Sequence, residues 1–153
     1  MRTRRALVVV SAAQLAAGVA GQLVALRDGR SFDIALLRWH GRPERLAHDS
    51  WVLGTGLSAP VVMLAAQAMA TARLAAGPSH GATRALGWLG AAMACGYLIE
   101  REFRVASSPA GWDPVVTPIA ATGFSLAVAM GGLGLLQGSP AQGMIVVWPR
   151  RIR

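Results

Sequence analysis

ALVVVSAAQLAAGVAGQLVAL, residues 6–26, runs for about six turns of α-helix without a charge, and only Ser11, Gln14 and Gln22 make it less than wholly apolar. Arg2, Arg4 and Arg5 precede it, and the turn signal Arg27-Asp28-Gly29-Arg30 follows it. About 20 residues rising 1.5 Å each match a hydrocarbon layer of roughly 30 Å. In lipid a backbone must satisfy its own hydrogen bonds, so a single span of this kind is a helix.

Three further charge-free stretches, at residues 52–72, 85–99 and 115–136, repeat the pattern. The third reaches spanning length, 81–99, if Arg84 carries its head to the interface. Pro60 should kink the second. The expected fold is an all-α membrane protein, one domain over residues 1–153, built as a four-helix transmembrane bundle. The opening of the chain also fits a secretory signal, with Gly18-Val19-Ala20 as a small-residue cleavage site. Because the apolar run continues through Leu26, an uncleaved first span is expected.

Between the first two spans lies the one segment that is neither span nor tail. Phe32, Ala35, Leu36 and Trp39 fall at i, i+3, i+4 and i+7, with Ser31 as a candidate N-cap and Gly41 as a stop. This spacing predicts an amphipathic helix over 31–40 lying on the membrane surface. From Pro43 the chain would then form a polar first section of the second membrane helix.

Hydrophobic residues make up 54% of the chain and charged residues 14%, against about 25% charged in ordinary globular proteins. The net charge of +8 comes wholly from arginine. These arginines flank apolar spans instead of forming one patch, so they read as topology signals and partners of anionic lipid, not of nucleic acid. Lysine and asparagine, whose codons all begin AA, are both missing, which points to a GC-rich and most simply bacterial genome. The expected location is therefore the bacterial plasma membrane. Eight arginines (2, 4, 5, 73, 84, 150, 151, 153) fall on the side of the termini and seven on the other. All seven acidic residues belong to that other side, so both termini are expected in the cytoplasm. Trp39, Trp51, Tyr97 and Trp112 would anchor one interface, and Trp88 and Trp148 the other.

Small residues recur every fourth position at Ala13, Ala17 and Gly21, at Gly87, Ala91 and Cys95, and at Gly123, Ala127 and Gly131. Membrane helices associate through close backbone approach, so these stripes are candidate contacts within the bundle, with a second copy or with another membrane protein. The lone Cys95 excludes an internal disulfide, CxxC redox chemistry and a cysteine zinc site. A haem reading fails because His40 and His48 are local neighbours while His80 falls on the opposite side. No metal or other cofactor is implied by any motif.

The densest polar group lies at residues 38–49. There Glu44 and His48 would sit one helical turn apart, near His40, and a carboxylate beside an imidazole can orient it for proton transfer. Glu100, Glu102 and Asp113 should reach the same face, making a site built from two loops possible. Four helices with a polar entry into the second resemble, in outline, the membrane glutathione transferase and leukotriene synthase group. That group's Arg followed by His-x-Asn-x-x-Glu is matched here at Arg45 and His48 only, with Ser50 and Leu53 in place of the Asn and Glu. The leading expectation is a non-catalytic accessory or scaffold subunit of a membrane complex. The alternative is a membrane enzyme for a lipophilic substrate, with His48, Glu44, His40 and Glu100 as its catalytic residues.

Overall fold

The computed structural model describes residues 2–34, 39–41 and 45–138. Its elements are α1 (Arg2–Asp28), β1 (Asp33–Ile34), β2 (Trp39–His40), α2 (Leu46–Val52), α3 (Val61–Ala76), α4 (His80–Ile99), α5 (Arg101–Ala106) and α6 (Val116–Gly138). Apart from the two-residue strands, the regular structure of the described residues is helical. Two of the helices, α1 and α6, are long and apolar enough to cross a membrane.

α1, α3, α4 and α6 pack as a closed ring in which each helix touches the next and α6 returns to α1. Contacts fix the directions. Ser11 meets Thr71 while Gly18 faces Leu64, so α1 and α3 are antiparallel. The Gln137 amide reaches the Thr3 carbonyl at one end, and Gly21 faces Ile119 at the other. Leu7, Leu64, Leu74, Leu86, Met93, Ala127 and Met130 fill the centre of the ring. Ala25, Leu57, Ala106 and Val116 form a second, smaller core at the end where α1 and α4 finish.

The α4–α6 contact is backbone against backbone. A side chain on Gly90 would come within 2.7 Å of the Ala127 carbonyl oxygen, and one on Gly134 within 2.5 Å of the Gly87 Cα. The stripe Gly123, Ala127 and Gly131 is thus a contact face. On α4 the matching face is Gly87, Gly90, Met93 and Tyr97, with Cys95 exposed. On α1 it is Ser11, Gln14, Gly18, Gly21 and Ala25, with Ala13 exposed. A four-residue spacing alone does not choose a face on helices that carry small residues all round.

Two expectations are corrected. The surface helix over 31–40 is replaced by an antiparallel ribbon pairing Asp33 with His40 and Ile34 with Trp39. The amide that a helical first turn would have left open at Asp33 is taken by the Glu100 carboxylate at 2.7 Å. Ser31, expected to cap, instead donates its hydroxyl to the Gly41 carbonyl. Phe32 is buried against Gly41, where even one added carbon would meet its ring at 2.9 Å. Tertiary partners therefore outweigh the helical periodicity.

The second correction concerns residues 52–72, which are not one kinked helix. α2 stops at Val52, Gly54 adopts φ +85°, and Thr55 and Ser58 bridge each other across a tight turn. Pro60 then serves as the extended N-cap of α3. A proline without an amide and a glycine in the left-handed region together terminate a helix instead of bending it. Residues 42–44, including Glu44, lie outside the described residues, as do Ala35–Arg38 and the tail from 139 with Trp148.

Candidate functional site

The end of the ring where α1 and α4 finish and α3 and α6 begin gathers the charged chemistry. Glu100 sits between α4 and α5 in extended conformation and is the only buried carboxylate among the described residues. Its Oε1 accepts the Asp33 amide, and Arg101 donates to the Asp33 carboxylate at 3.1 Å. Arg30 lies between Asp28, at 3.7 Å, and Asp113, at 3.6 Å. Loops distant in sequence are thus brought together, as the distribution of acidic residues suggested.

Asp113 begins α6. Its Oδ1 accepts the backbone amides of Val116 and Val115 at 2.9 and 2.8 Å, which satisfies orphan donors of the first turn. Those two amides, with help from the Arg30 guanidinium, hold its carboxyl below the usual aspartate range.

Of the four candidate catalytic residues, the side chains of His48 and Glu100 are among those described. The His48 side chain is 91% exposed, and its Nδ1 stands 3.6 Å from the Asp49 carboxylate. His40 is described only as a backbone partner of Asp33 in the ribbon, which brings its main chain, one residue removed, to the Glu100 carboxylate. Glu44 lies outside the described residues. Among the described residues no three His, Cys, Asp or Glu side chains are grouped to hold a metal ion.

Beside Glu100 lies a cavity of about 140 Å³ that sequence reasoning did not single out. Its walls are the 53–60 turn, Met63 of α3 and the last two turns of α4, with Met93, Gly96 and Tyr97. Thr55 and Ser58 supply its hydroxyls, and both are buried. The signal that could have found it is Gly54-Thr55-Gly56, a glycine pair that interrupts an otherwise helix-forming apolar run. Tyr97 also departs from its expected anchor role. It is buried, its hydroxyl lies against Gly123, and its ring packs on Phe103 and Phe124 at 5.6 and 6.2 Å.

Comparison of the chain with protein-family models, with curated proteins and with solved structures finds no match.

Proposed function

We propose that the chain is a four-span membrane bundle that serves as an accessory or scaffold subunit, packing against a larger membrane complex or against a second copy. One observation carries the reading. All four ring helices turn large apolar side chains outward: Val9 and Leu23 on α1, Met69 on α3, Trp88 on α4 and Leu136 on α6 are each more than half exposed. An apolar exterior on every side suits lipid and neighbouring membrane helices, whereas water would leave a patch far larger than soluble monomers expose.

α3 is about 24 Å long by its 16 residues, short of the hydrocarbon layer. The 53–60 turn, lying beside Gly21 and Gln22 of α1, completes the second crossing. Both termini are assigned to the cytoplasm of a bacterial plasma membrane, because the loops carrying every acidic residue then face away from it. Glu100, the only buried carboxylate among the described residues, already accepts a backbone amide, and this favours a structural use of the charged end.

Native mass spectrometry of the protein extracted gently from its own membrane tests this reading. A stoichiometric protein partner or a homo-oligomer is expected, and His48→Ala should leave that assembly and its stability unchanged within about 0.5 kcal/mol, as for an exposed side chain. A solitary protein that turns over a lipophilic substrate, and loses turnover on His48→Ala, would replace the scaffold by the enzyme.

A further inference from the structure

We infer that the cavity between the 53–60 turn and the C-terminal half of α4 is a binding site for a small lipid-soluble molecule of phenol size, apolar in body and carrying one hydrogen-bond donor. The size argument is direct. An apolar cavity of about 150 Å³ accommodates benzene, and this one measures about 140 Å³. Leu53, Leu57, Met63, Met93 and Ile99 supply apolar wall, and the two methionines can adjust their side chains around a ring.

The polar lining asks for a donor. The Thr55 hydroxyl gives its hydrogen to Gln22 Oε1 and the Ser58 hydroxyl gives its own to the Ala59 carbonyl, so both oxygens remain as acceptors. Glu100 adds carboxyl oxygens, which accept hydrogen bonds as Oε1 does from the Asp33 amide. A ligand hydroxyl placed among these three groups therefore finds acceptors and no competing donor among their side chains.

The site's position follows from backbone physics. The 53–60 turn packs against Gly21 and Gln22, within the uncharged run of α1. Non-helical backbone at such depth persists where it is covered by protein or lines a cavity, and interrupted helices mark binding sites in other membrane folds. Ala92 and Ile99, which line the cavity, are also exposed on the outer face of α4, so entry is from the flank of the bundle. That route selects molecules already dissolved in the lipid. The inference concerns binding alone and holds whether or not the bundle serves a larger complex.

The experiment titrates the full-length protein, in detergent or nanodiscs, with 4-fluorophenol and separately with fluorobenzene, followed by fluorine NMR. Saturable 4-fluorophenol binding is expected, about two- to tenfold tighter than fluorobenzene for one added hydrogen bond. Gly96 lines the cavity, and a side chain there would meet nothing within 4 Å. Gly96→Leu should therefore fill the space without moving the backbone and abolish saturation, while Ala13→Leu, on the exposed face of α1, should preserve it. If Gly96→Leu lowers the melting temperature, Ala92→Leu carries the same test from the cavity's outer rim. Non-saturable uptake that is equal in wild type and both cavity variants overturns the site. Equal affinity for the two probes overturns the donor requirement.

Discussion

The α4–α6 and α1–α3 seams of one ring hold their helices together by opposite means. Between α4 and α6, Gly87, Gly90, Gly131 and Gly134 remove side chains so that backbones touch. Between α1 and α3 a closed circuit of hydrogen bonds does the work. The Gln67 amide donates to the Ser11 hydroxyl and to the Ser11 carbonyl, Ser11 lies 2.6 Å from the Thr71 hydroxyl, and Thr71 donates back to the Gln67 carbonyl. With Thr71 committed, Ser11 must be the donor in that pair. Shape specifies the first seam and polarity the second, so they should fail differently.

The harshest way to break the contrast is Gly90→Leu. Its side chain would strike the Gly131 amide and the Ala127 carbonyl, which are backbone atoms that cannot rotate away. A loss of about 3 kcal/mol or more is expected, read as unfolding in mild detergent. An effect under about 1 kcal/mol would mean that α4 and α6 do not meet through glycine.

Gln14 sharpens the comparison from the polar side. It is 1% exposed, yet its Oε1 has no hydrogen-bond partner. Gln14→Leu should stabilise the bundle by about 1 kcal/mol, since removing a buried unpaired acceptor relieves its desolvation cost. Destabilisation would reveal a partner for that oxygen. A double-mutant cycle of Ser11→Ala and Thr71→Val should give a coupling of about 0.6 kcal/mol, typical of membrane interhelical hydrogen bonds. No coupling would dissolve the circuit.

The smallest effect lies outside both seams, neither of which contains a carboxylate. The Asp113 carboxyl is depressed in the folded state, so its contribution is fully present above the ordinary aspartate range. It is lost as pH falls from about 4 through the lower folded value. Asp113→Asn should flatten this acid limb of the stability curve, and an unchanged limb would place the titrating group elsewhere.

How much of this was legible from the chain differs by element. α1, α4 and α6 match the uncharged stretches because a charge-free apolar run pairs its own backbone as a helix. Distant contacts such as that of Gln67 with the Ser11 carbonyl use a second lone pair without replacing those bonds. The ribbon was not legible, since Asp33 and Glu100 are 67 residues apart and only their contact outweighs the helical spacing of Phe32 and Trp39. The break in the second charge-free stretch had visible parts, Gly54 and Pro60, but a kink and a termination need the same residues. For the candidate site, the meeting of the charged loops was foreseeable from where the acids fall. The use of Glu100 as a backbone acceptor depended on the ribbon, and the cavity beside it on the termination at 53–60.

The ring closes between its first helix and its last, from Thr3 to Gln137. During synthesis at about 5–20 residues per second, α1 is complete on the order of 5–20 s before α6 has been made. For that interval Gly21 and the neighbouring buried face of α1 have no α6 to cover them, and α3 joins them only part-way through. The molecule thus carries a clock in its chain order: whatever shelters a half-built bundle has that long to act, and the last helix ends its hold.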